Sequence, residues 1–99
     1  MRIEITRQAV CAADDQTNPL EMYFEVDQNL TIQHLVNEIE AAKFLQFSST
    51  HQSIVGHSGG VPIIKIHSPY HSSLGPEYLV PASIIASEII QNGRVEFKF

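Results

Sequence analysis

A chain of 99 residues, 43% hydrophobic and 17% charged, is large enough for one core and too apolar to remain disordered. Its 11 Asp and Glu against 6 Lys and Arg give a formal net charge of -5, which repels nucleic-acid phosphates and anionic lipid and favours a basic partner, although the same excess also serves plain solubility. The single cysteine, Cys11, excludes an intrachain disulfide and zinc sites of the multi-cysteine type.

The opening "MRIEITRQAV" alternates polar and apolar residues, so Ile3 and Ile5 share one face of a first strand. It lacks the continuous apolar core of a signal peptide, and no run approaches the roughly 20 apolar residues that cross a bilayer. A cytoplasmic address is therefore expected. Cys11, at the end of the apolar "AVCAA", reads as a small buried hydrophobe and not as a reactive thiol.

"DDQTNP" at 14–19 is dense in turn formers. After it Leu20, Met22, Phe24 and Val26 alternate with Glu21, Tyr23 and Glu25, which predicts a second strand closing a hairpin with a longish loop. The period then changes. Ile32, Leu35, Val36, Ile39 and Ala42 recur at helical spacing behind Thr31, a residue able to cap the first turn.

Ser48, Ser49 and Thr50 mark an irregular segment, and "QSIVGH" and "VPIIKIH" flank the turn "SGG", predicting a second hairpin with Pro62 near a sheet edge. "SPYHSSLGPEYLVP" has no usable period and reads as a loop, with Tyr78, Leu79 and Val80 folded inward. Pro81 can open a short helix striped by Ile84, Ile85, Ile89 and Ile90, stopped by Asn92 and Gly93. "RVEFKF" ends the chain as a strand whose Val95, Phe97 and Phe99 call for a central or well-covered position.

Residues 1–99 are thus expected to form a single α+β domain. The order is β-β-α-β-β-α-β, with a mixed, mostly antiparallel sheet of about five strands. "MRIEIT" followed by "MYFEVDQNLTIQHLVNEIEAAK", together with the last strand "VEFKF", resembles a ubiquitin-like β-grasp domain. That resemblance implies that the last strand pairs beside the first. Two departures separate this chain from the chemistries best known for that fold: no Gly-Gly pair follows Phe99, and Cys11 has no partners for an iron-sulfur cluster. In general profile, a short acidic domain without catalytic motifs is similar to bacterial immunity proteins of contact-dependent or polymorphic toxin systems. That similarity implies a cognate toxin domain, often a basic nuclease, as partner.

Among candidate sites, His67 and His71 have a spacing that a helix could bring to one metal, with His51 and His57 as further ligands, but Pro69 opposes the helix. The histidines read as polar residues of strand ends and loops, and a small histidine-dependent metal enzyme stays as an alternative. The serines near histidines lack a nucleophile elbow, and "HSGG" lacks the lysine and spacing of a phosphate loop. No catalysis and no cofactor are expected.

The acidic residues carry the remaining signal. Asp14, Asp15, Glu21, Tyr23, Glu25, Asp27, Glu38 and Glu40 are the expected partner-binding set, with Tyr70 and Tyr78 as companions if exposed. The expected function is a non-enzymatic protein-binding module, most concretely an immunity protein that neutralises a basic toxin, with a ubiquitin-like adaptor or scaffold subunit as the alternative.

Overall fold

The computed structural model describes residues 1–9, 19–47, 52–69 and 74–99. In chain order these form strands β1 (Arg2–Arg7) and β2 (Glu21–Glu25), helix α1 (Ile32–Ala41), strands β3 (Ser53–Ser58), β4 (Val61–His67) and β5 (Glu77–Tyr78), the one-turn helix α2 (Ala86–Ile89) and strand β6 (Arg94–Lys98). The strands make one six-stranded sheet in the order β2-β1-β6-β3-β4-β5. β1 and β6 run parallel, and the other described neighbours run antiparallel. Among the described residues no helix is long and apolar enough to cross a membrane.

One face of the sheet makes the core. Ile3 and Ile5 of β1, Val95 and Phe97 of β6, Ile54 of β3 and Ile64 and Ile66 of β4 are buried there against Ile32, Leu35, Val36 and Ile39 of α1. The period-two strands and the helical stripe therefore meet face to face, as their patterns require. Thr31 caps α1, its Oγ1 accepting the His34 N–H at 3.2 Å. Gly56 sits where the core is tightest: a Cβ there would lie 2.8 Å from Ile64 Cγ2 and 2.9 Å from Phe97 Cε1. We expect Gly56→Ala to cost about 1–3 kcal/mol in urea unfolding, because two buried side chains must shift to admit one methyl.

The turn between β3 and β4 has Gly59 at φ 58° and Gly60 at φ 80°, between the paired residues Ser58 and Val61. Two consecutive positive φ values match the twist of a two-residue hairpin, which is why glycines stand there. Ser58 is buried, and its hydroxyl donates to Arg94 O at 2.9 Å and accepts from Gln91 N at 2.7 Å. The hairpin turn is thereby tied to the segment entering β6. That segment turns through Asn92 (φ 56°) and Gly93 (φ 63°), left-handed as the sequence implies, although they do not stop α2, which has already ended at Ile89 with Ile90 extended.

Three local features differ from the sequence expectation. First, the stretch read as a loop contains β5, which pairs Ile64 with Tyr78 and Lys65 with Glu77. Tyr78 and Val80 pack against the core, whereas Leu79 is exposed. Second, α2 begins at Ala86, five residues beyond Pro81. The backbone before it serves α1 instead: Ile84 O accepts from Ile32 N, Ala82 O accepts from Gln33 N, and Ala86 N donates to Leu30 O at 2.7 Å. The orphan N–H groups of Ile32 and Gln33 in the first turn of α1 are satisfied this way, and the β-branched Ile85 suits its extended backbone. Third, the register shifts between Gly56 and His57, so Ile63 has no partner in β3 and both Ile63 and Ile64 are buried. Pro62 lies beyond the residues that β5 pairs, where its missing N–H costs no ladder bond to that strand.

Candidate functional site

The second face of the sheet carries no described element. Alternation sends Glu4, Thr6, Tyr23, Val55, His57, Lys65, Arg94, Glu96 and Lys98 outward there. Its centre is electrically balanced. Arg94 Nε lies 3.0 Å from Glu4 Oε1 and 3.6 Å from Glu96 Oε1, and Lys98 Nζ lies 3.4 Å from Glu96 Oε2. These half-exposed pairs are worth little in stability, and they leave no net charge over β6 for a partner to read.

Two further carboxylates stand at the rim, on β2, with one cation, Arg2 of β1, opposite Glu25. Glu21, Tyr23 and Glu25 are all exposed and occupy alternate positions, opposite Thr6, Glu4 and Arg2 of β1. The Arg2 guanidinium stacks over the Tyr23 ring at 4.2 Å from its centroid, fixing the aromatic against the sheet. The Glu21 charge holds the Tyr23 phenol above its ordinary value of 10.0, reinforced by a hydrogen bond to Glu4. Removing that charge with Glu21→Gln should move the Tyr23 ionisation downward, towards the ordinary phenol. Absorbance at the tyrosinate band, with Tyr23→Phe identifying the transition, checks this, and an unmoved transition would place Glu21 away from the ring.

The hydrogen-bond phase makes β2 more than a charged rim. Val26 N donates to Met1 O at 2.8 Å and Arg7 N to Leu20 O at 3.0 Å, so residues 20, 22, 24 and 26 turn their main-chain groups towards β1. In an antiparallel pair the alternate residues face away. Glu21, Tyr23 and Glu25 therefore present N–H and C=O groups along the outer edge of the described sheet, and no described strand pairs with them.

Of the partner-binding set expected from the sequence, Glu21, Tyr23 and Glu25 come together on this edge, and the exposed Asp27 follows in the turn leading to α1. Glu38 and Glu40 are exposed on α1, on the opposite side of the sheet. Asp14 and Asp15 lie outside the described residues, as do Cys11, Tyr70, His51 and His71. Tyr78 is half-buried in β5, and its phenol is raised by that burial and then by the Glu40 charge.

The remaining histidines do not converge. His57 pairs with Pro62 at one end of the second hairpin and His67 with Ser53 at the other, about 13 Å apart along the strands at the usual rise per residue. His67 Nε2 instead lies 3.5 Å from Glu77 Oε2. Among the described residues no group of three or more His, Cys, Asp or Glu is arranged to hold a metal ion. Ser58, next to His57 in sequence, has its hydroxyl engaged by two backbone groups.

Depressions also mark the surface of the described residues. One of about 430 Å³ lies between the end of α1 and β4 and is lined by Glu40, Lys43, Leu45, Phe47, Ile66 and His67, among others. A smaller one of about 250 Å³ lies at the second hairpin turn, beside His57, Gln91, Arg94 and Glu96. The sequence reading missed the balanced ladder of Glu4, Arg94, Glu96 and Lys98. Its signal was present in the charges alternating along both "RIEITR" and "RVEFKF".

No known protein family matches this sequence, and comparison with curated proteins and with solved structures found no match.

Proposed function

We propose that this protein is a non-enzymatic protein-binding module, most concretely an immunity-type inhibitor that works in the cytoplasm and covers a basic toxin domain. The observation that carries the reading is the β2 rim, where Glu21 and Glu25 flank an aromatic anchor, Tyr23, beside a central face whose charges cancel. Binding energy concentrates in a few aromatic and charged anchors, and unpaired surface charge steers an oppositely charged partner.

A β-grasp-like architecture is part of the proposal. It is supported by the sequence β2-β1-β6-β3 across the sheet, by the parallel pairing of β1 with β6, and by α1 packed on one face. That architecture also favours a second reading, a ubiquitin-like adaptor or scaffold subunit with several weaker partners. Capture from native cells on the tagged protein, at low and high salt, separates the two. One basic protein held one-to-one and released as salt rises supports the inhibitor, several weakly held components support the adaptor, and no specific protein at low salt speaks against both.

A further inference from the structure

We propose that the partner is bound by strand addition: an extended segment, with basic residues at its first and fifth positions and apolar ones at its second and fourth, pairs antiparallel with the outer edge of β2, which no described strand covers. This inference rests on the protein-binding reading and specifies its geometry. Three main-chain donor and acceptor pairs, at Glu21, Tyr23 and Glu25, are in register to receive a strand. Side chains of an added strand opposite Glu25, Tyr23 and Glu21 stand on the same face as those residues, so the first and third suit Lys or Arg. The two residues between them point to the other face, beside Met22 and Phe24, which are half-buried at the margin of the core and suit apolar neighbours. The fitting segment is therefore basic, apolar, any residue, apolar, basic.

The same residues argue against a second copy of this chain. Two β2 strands paired about a two-fold axis at Tyr23 would set Glu21 opposite Glu25 twice, and like charges directly opposite are destabilising. Charged residues on an edge strand are a common defence against self-pairing. Here the defence leaves the edge open to one class of partner.

The test uses the full chain, labelled for amide NMR, and three capped peptides: Thr-Arg-Val-Thr-Val-Arg-Thr, the same peptide N-methylated at its central Thr, and a scramble with the two Arg adjacent. The expected result is saturable binding of the first peptide, with the amides of Glu21, Tyr23 and Glu25 shifted and slowed in exchange. N-methylation deletes the donor to Tyr23 O at constant charge and should weaken binding about tenfold or more, and the scramble should weaken it comparably. Equal affinity for all three peptides overturns strand addition and leaves the acidic-surface reading standing. No binding of any peptide at low salt overturns both. A dimer of the free protein with those amides already protected also overturns the proposal, since a second copy would then hold the edge.

Discussion

Phe97→Ala should cost about 3–5 kcal/mol, a large share of the 5–15 kcal/mol typical of a domain this size. Phe97 is 1% exposed on β6, between β1 and β3. Its neighbour across the sheet on β3 is Gly56, whose missing side chain is the space that the ring fills. Truncating Phe97 leaves a cavity beside Gly56, which has no side chain of its own to help fill it, so the upper part of the usual range applies. Urea unfolding followed by circular dichroism measures this, with a lower midpoint at unchanged slope as the expected outcome. A loss under about 1 kcal/mol would mean that β6 is not central to the core.

The second large effect concerns binding and not folding. Glu21→Lys with Glu25→Lys replaces two exposed side chains on an edge strand. Stability should move by no more than about 0.5 kcal/mol, as for surface substitutions generally. The charge at the rim changes by four units, since each substitution exchanges one negative for one positive charge. Association with a basic partner at low salt should slow about 10- to 100-fold, and the deficit should shrink as salt screens it. Stopped-flow association against the captured partner gives the number. An unchanged rate would remove β2 from the interface, while the balanced ladder at Glu4, Arg94 and Glu96 predicts little effect from neutralising those residues in pairs.

Much of the architecture was legible because two periods carry it. The alternation of Ile3 with Ile5 and of Val95 with Phe97, and the stripe Ile32, Leu35, Val36 and Ile39, are buried as their patterns select, whereas Phe99 and Ala42, at the ends of the same patterns, are exposed. The left-handed turns at Gly59–Gly60 and Asn92–Gly93 were readable for a local reason, the freedom of glycine and asparagine at positive φ. What escaped was decided by distant contacts. The non-helical turn at 82–85 supplies acceptors to the first turn of α1, a demand that nothing inside "PASIIASEII" records. β5 is two residues long, too short to carry a period, and Ile63 is displaced by a register shift that depends on β3.

The candidate site divides along the same line. Glu21, Tyr23 and Glu25 could be found in sequence as the polar half of an alternating strand, but neither their place at the sheet edge nor the outward phase of their backbone groups could. Both follow from strand order. Helix periodicity set Glu38 and Glu40 on an exposed helix face, and only the packing of α1 on the core side separates them from the β2 rim.

Whether the acidic sheet edge receives a basic protein, as proposed, is decided by the association rate of this protein with its captured partner as ionic strength rises from about 20 to about 200 mM. The expected result is a steep decline for the natural protein and a nearly flat, slow rate for the Glu21→Lys, Glu25→Lys variant. Equal rates for the two proteins, independent of salt, would contradict it.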